Sequence, residues 1–137
     1  MTGYLDSSVL LRVLLNQPNK LESFSTLRRP VASKLLRTEC LRSLDHLKSE
    51  GLLSEEEHLT ALSELYDGFD SVEWVDVSDK VLRRAGEPFA VSLGTLDAIH
   101  LSSALLWRDE TSLECYFLTH DLALQKAARA SGFHVMG

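Results

Sequence analysis

Two kinds of apolar pattern alternate along the whole chain. Short apolar runs, Gly3 to Asp6, Pro30 to Ser33, Val72 to Val77, Cys115 to Thr119 and Phe133 to Met136, predict strands. Between them the apolar residues fall at helical spacing. Ser7 to Asn16 carries Val9, Leu10, Val13 and Leu14 on this period, and Lys34 to Lys48 sets Leu36, Cys40, Leu44 and Leu47 on one face with Gly51 as its stop. Ser54 and Glu57 form a capping box that opens a helix through Leu59, Leu62 and Leu65. Ser78 caps a helix reaching about Phe89, Thr95 opens an apolar helix through Trp107, and Asp121 begins a helix that runs to about Ala130, where Gly132 ends it.

Strand followed by helix, repeated without a linker, an internal repeat or a low-complexity tract, predicts mostly parallel strands joined by right-handed crossovers. The expected fold class is α/β: one domain over residues 1–137, a three-layer α/β/α sandwich on a mostly parallel sheet of four to five strands, with an extra helical hairpin between the second and third strands. Ligands of such sheets bind outside the carboxyl ends of the strands.

Composition narrows the classes. The 137 residues are 45% apolar and 25% charged, a globular balance, and 14 basic against 20 acidic residues leave a net charge of −6. That charge excludes a protein whose main task is coating nucleic acid, but not one that cuts it at a metal site. Cys40 and Cys115 lie in apolar runs, too far apart for a zinc pattern, and are expected to be buried reduced thiols. MTGYLDSSVLL carries no basic leader, and no uncharged apolar run approaches the ~20 residues that span a bilayer, so a soluble cytoplasmic protein is expected.

The placement of the acids points to chemistry. Asp6 closes the first strand and Asp121 follows the fourth, so both project at the carboxyl edge, although each also stands where an N-cap would. Asp97 lies in TLDAIHLSSALLW, on a face with Leu101 and Ala104, where an unpaired carboxylate costs several kcal/mol, roughly, and needs a cation. Glu39 lies at the margin of the Leu36, Cys40 and Leu44 face, a place usually held by a solvated glutamate. Acids brought to one edge repel each other unless a cation neutralises them. Oxygen donors without a histidine or cysteine cluster favour Mg²⁺, with Mn²⁺ able to substitute. His100 is expected to be a packing histidine facing away from Asp97, and His120 a rim residue.

YLDSSVLL, the TEC of the second long helix, TLDAIHLSSAL and FLTHDLALQKAARASGF resemble, in order and spacing across essentially the whole chain, the PIN-domain ribonucleases, and among them the VapC toxins of VapBC toxin–antitoxin pairs. The resemblance implies Asp6 and Asp97 as principal Mg²⁺ ligands, Glu39 and Asp121 completing the catalytic and metal site, and Thr119 and Ser7 as supporting hydroxyls. It further implies endonucleolytic RNA cleavage leaving 5′-phosphate and 3′-hydroxyl ends, an antitoxin partner that blocks the site, and a homodimer. An RNA-processing nuclease that is not a toxin, or a catalytically weak binding module, are the alternatives. Other Asp-based classes fit less well. A dehalogenase-type phosphatase needs an acid at Ser8, and a receiver domain needs a late lysine that Lys126 is badly placed to supply. An HD phosphohydrolase could use His120 and Asp121, but that fold is all helical. The pairs Arg28–Arg29 and Arg83–Arg84 are read as solvated surface charge that could touch phosphate.

Overall fold

β1 (Thr2–Leu5) is the central strand of a five-stranded sheet, all of whose pairings are parallel. On one side of it lie β2 (Arg29–Ser33) and β3 (Glu73–Val75), on the other β4 (Tyr116–Leu118) and β5 (His134–Met136), giving the order β3-β2-β1-β4-β5. The helices are α1 (Ser7–Leu14), α2 (Lys34–Ser49), α3 (Glu55–Phe69), α4 (Asp79–Ala85), α5 (Thr95–Thr111) and α6 (Leu122–Ala130). This computed structural model describes residues 1–137 and shows the expected parallel α/β architecture, with five strands. No helix is long and apolar enough to cross a membrane.

The period-2 alternation of the strands divides the core between the two faces of the sheet. Tyr4, Val31 and Phe117 point to one face, where they pack with Leu101, Ala104 and Trp107 of α5 and Leu124, Ala127 and Ala128 of α6. Their strand neighbours Leu5, Ala32 and Leu118 point to the other, against Val9 of α1, Leu36, Cys40 and Leu44 of α2, and Ala61, Leu65 and Phe69 of α3. Gly3 lets Leu118 and Leu27 pack close to β1: a Cβ there would lie 2.8 Å from a methyl carbon of each, so both leucine side chains would have to shift.

Caps fix the helices that carry the acids. Ser33, fully buried, accepts from the Leu35 N–H at 3.1 Å and starts α2. Ser33→Ala should lower stability by about 1 kcal/mol, a fall in melting temperature of roughly 4 °C; an unchanged melting curve would show that the cap is dispensable. Ser54 and Glu57 form the reciprocal capping box of α3. At the end of α6, Gly132 takes φ +89 and Phe133 N–H reaches back to Ala128 O at 3.0 Å, a left-handed stop.

Several boundaries differ from the sequence pattern. α1 ends at Leu14 rather than Asn16, because the chain turns with Asn16 at φ +50. α4 stops at Ala85 instead of reaching Phe89: Gly86 caps it and Pro88 cannot continue a helix. α5 runs one turn beyond Trp107 to Thr111, β3 shortens to three residues, and Glu22–Thr26 forms a 3-10 turn that no apolar period announced.

Candidate metal centre

Chain order reverses between β1 and β4, so a crevice opens at their carboxyl ends. Asp6 follows β1 into that crevice, and its backbone N–H donates to Leu118 O of β4 at 3.0 Å. It occupies the N-cap position of α1 without capping it. Instead Asp6 Oδ2 accepts from Ser8 Oγ at 2.7 Å and from Thr119 Oγ1 at 2.8 Å, which leaves Oδ1 facing the crevice. The same two hydroxyls accept from the backbone N–H groups of His120 and Asp121, at 3.1 Å each, so they tie the loop after β4 to the loop after β1. Thr119 therefore stands where it was expected. The other hydroxyl on Asp6 belongs to Ser8 and not to Ser7, which makes no such bond.

Asp121 begins α6 and caps it, Oδ1 accepting from the Leu124 N–H at 2.8 Å while Oδ2 makes no hydrogen bond. Glu39 reaches in from the second turn of α2, half-buried, with Oε1 at 2.5 Å from His100 Nε2. Asp97, in the first turn of α5, makes no hydrogen bond and is half-buried. Burial raises its carboxyl pKa, and the charges of Asp121, Asp6 and Glu39 raise it further, with His100 partly offsetting them. The four acids named from the sequence thus share one electrostatic neighbourhood.

His100 corrects the sequence pattern. It was expected to face away from Asp97, yet residues three apart on a helix are neighbours. Fully buried, its Nε2 lies 3.9 Å from Asp6 Oδ1 as well as beside Glu39. Asp6, Glu39 and His100 each bring one ligand atom within 4.8 Å of the others, so a nitrogen stands among the oxygens. Burial opposes a charge on this imidazole, but Glu39, Asp6 and Asp97 outweigh it and raise its pKa. The i, i+3 spacing from Asp97 was the signal that could have found it.

The donor set fits a hard divalent cation. Three carboxylates have one oxygen tied to the protein and one left open, and the fourth has both open. No lysine or arginine pairs with any of them. Carboxylate oxygens in that number suit Mg²⁺ or Mn²⁺. The one thiol near the acids does not compete: Cys40 is free and buried, and burial, then Glu39 and Asp6, push it up to about 12, while Cys115 lies at the amino end of β4, away from the site. Of the basic pairs, Arg29 begins β2 at the opposite edge of the sheet and is held by Glu73 at 2.8 Å, and Arg84 lies 4.2 Å over the Phe89 ring.

A parallel α/β sandwich with acids gathered where β1 and β4 diverge is the architecture of the PIN domain, whose family model matches residues 3–130; the chain belongs to that family. Within it, the chain is 30% identical over 136 residues to Ribonuclease VapC46 of Mycobacterium tuberculosis (strain ATCC 25618 / H37Rv), covering 97% of this chain and 95% of that one. Among solved structures the fold is similar to VapBC2 from Rickettsia felis, bound to a DNA fragment from its promoter, with a TM-score of 0.65, 16% identity and coverage of 99% of this chain and 98% of that one. It is also similar to a toxin–antitoxin complex from Klebsiella pneumoniae, with a TM-score of 0.66, 13% identity and coverage of 100% and 97%.

Proposed function

We propose that this chain is a divalent-metal-dependent endoribonuclease that cuts RNA to 5′-phosphate and 3′-hydroxyl ends, and that it is the toxin of a cytoplasmic toxin–antitoxin pair. One observation carries the proposal: Asp6, Glu39 and His100 each bring a ligand atom within 4.8 Å of the others, Asp97 lies near enough for the charges of Asp121, Asp6 and Glu39 to raise its pKa, and no lysine or arginine pairs with any of the four acids. PIN membership and the ribonuclease name of the 30% identical relative support the same chemistry.

Asp6 and Asp97 would be the principal holders of Mg²⁺ or Mn²⁺, with Glu39 and Asp121 completing the centre. A cation bound there supplies Lewis-acid activation of the scissile phosphodiester and of the attacking water. Ser8 and Thr119 fix the Asp6 carboxylate, so a cation would meet a ligand that is already oriented. The Leu124 N–H holds Asp121 in the same way. Arg12 lies close enough to His120 for its charge to act there, after burial, in lowering that imidazole's pKa, and so offers a cation for RNA phosphate at the rim.

An antitoxin that blocks the acids would have a second anchoring surface in the cleft between the ends of α1, α2 and α3, away from the metal centre, a cavity of about 660 Å³. Leu14, Leu47 and Leu53 line it beneath Glu56, Glu57 and Glu64, which suits an amphipathic segment with basic flanks. Leu52 and Leu59 remain exposed on the same hairpin, apolar area also available to a second copy of the chain.

Purified protein incubated with RNA should cleave with Mg²⁺ or Mn²⁺, stop in EDTA and recover when Mg²⁺ is added in excess. The fragments should ligate at their 5′ ends without prior phosphorylation. Cleavage that persists in EDTA, or none with any divalent ion, would overturn the proposal; the second outcome is what a binding module would give.

A further inference from the structure

A buried hydrogen-bonded chain runs from the sheet to Glu39. The Ser33 N–H, at the junction of β2 and α2, donates to the Tyr4 phenol oxygen at 3.2 Å. That phenol lies 3.0 Å from His100 Nδ1, and His100 Nε2 lies 2.5 Å from Glu39 Oε1. Tyr4 and His100 are fully buried, so every polar atom in the chain needs its partner. With a neutral imidazole the chain is satisfied when Tyr4 O–H donates to Nδ1 and Nε2–H donates to Glu39 Oε1.

The four acids are not braced alike. Asp6 is short and held by two hydroxyls, and Asp121 is held by a backbone N–H. Glu39 has one more rotatable bond, hangs from a helix at the margin of the core, and has no other protein partner than His100. Without the imidazole its carboxylate is free to swing toward water.

We propose that His100, backed by Tyr4, is a positioning residue of the metal centre: it clamps Glu39 Oε1 and thereby aims Oε2 into the cluster with Asp6 and Asp97, which sets the affinity for the divalent ion. The inference rests on the metal site put forward under Proposed function. Outer partners of metal-ligating groups typically alter affinity by roughly 10- to 100-fold, and that is the size expected here.

Calorimetric titration with Mn²⁺ alone tests it, with folding checked by circular dichroism. His100→Leu should weaken Mn²⁺ binding by roughly 10- to 100-fold. His100→Gln, whose amide can reach Glu39 as Nε2 does, should restore most of it. In a Glu39→Gln background, His100→Leu should cost little more, because the two residues act as one unit. Leucine removes the Tyr4 hydroxyl's imidazole partner and can cost the fold, so Tyr4→Phe gives a second reading from outside the site: weaker Mn²⁺ binding, and a shift or loss of the His100 Nε2 proton resonance. Wild-type affinity in folded His100→Leu and Tyr4→Phe, or equal losses with and without the Glu39 carboxylate, would overturn the clamp and leave the metal site standing. Nitrogen couplings from His100 in the Mn²⁺ electron paramagnetic resonance spectrum would overturn it too, because His100 would then be a ligand. Wild-type protein that binds no Mn²⁺ would instead overturn the metal site itself, and the clamp with it.

Discussion

Asp97→Asn should abolish RNA cleavage, by about a thousandfold or more, and should raise the melting temperature of the metal-free protein. Both effects come from one property of the site. Burial, together with Asp121, Asp6 and Glu39, holds the Asp97 carboxyl above its ordinary value of 3.8. An acid whose pKa is higher in the folded than in the unfolded state binds more protons when folded. Stability therefore falls as pH rises between the two values and stays reduced above them. Asparagine has no charge to desolvate, so at neutral pH in EDTA the variant should melt higher than wild type, and below the unfolded-state pKa the two should converge. Added Mg²⁺ should stabilise wild type more than the variant, because only wild type offers the full set of ligands. Melting curves against pH, with and without metal, and a cleavage assay decide the matter. A variant that cuts at the wild-type rate removes Asp97 from the mechanism, and one that melts lower in EDTA at neutral pH removes the strain attributed to it.

Phe117→Ala should cost about 3–5 kcal/mol, a large share of the roughly 5–15 kcal/mol that holds a domain folded. Phe117 is fully buried in β4, stacked on Tyr4 at 5.1 Å and packed against Phe133 at 5.6 Å. Tyr4, the ring stacked on Phe117, is held out of the space by its hydrogen bonds to Ser33 and His100. The loss should therefore reach the site as well, by letting Tyr4 move and loosening its hold on His100. Phe117→Leu, which refills most of the volume, should be much milder. Denaturant unfolding measures both variants; an alanine variant within about 1 kcal/mol of wild type would show that the aromatic stack carries little, against the usual cost of such a cavity.

The fold was legible because its strands are short apolar runs, buried on both faces of a parallel sheet, and most of its helices keep their apolar residues on one side. Tyr4 and Leu5, Val31 and Ala32, Phe117 and Leu118 divide between the two faces of the sheet as alternation requires. The ends were less legible, since they depend on single residues such as Asn16, Gly86 and Pro88, whose effect is local and breaks no period. Asp6 and Asp121 stood out because a strand-to-helix junction in a parallel sheet has only one edge to point toward. Asp97 stood out because it is charged within an apolar helix. Glu39 carried no such mark and rested on the family resemblance. Ser8 is only two residues from Asp6, but residue types do not tell which of the adjacent serines turns back to it; the Tyr4–His100–Glu39 chain could not be seen because packing alone brings its members together, Tyr4 and His100 being 96 positions apart.

The strand order also has a consequence for how the protein comes to life during synthesis. β1 emerges first, but its flank on the site side is β4, more than a hundred residues later, and Thr119 must cross that interval to reach Asp6. A nascent chain that stops short of Tyr116 contains Asp6, Glu39 and Asp97, yet its central strand has a naked flank and its first aspartate lacks the hydroxyl that aims it. Products that stop short of β4 should be harmless to RNA, and activity should appear only once β4 and Thr119 have been made.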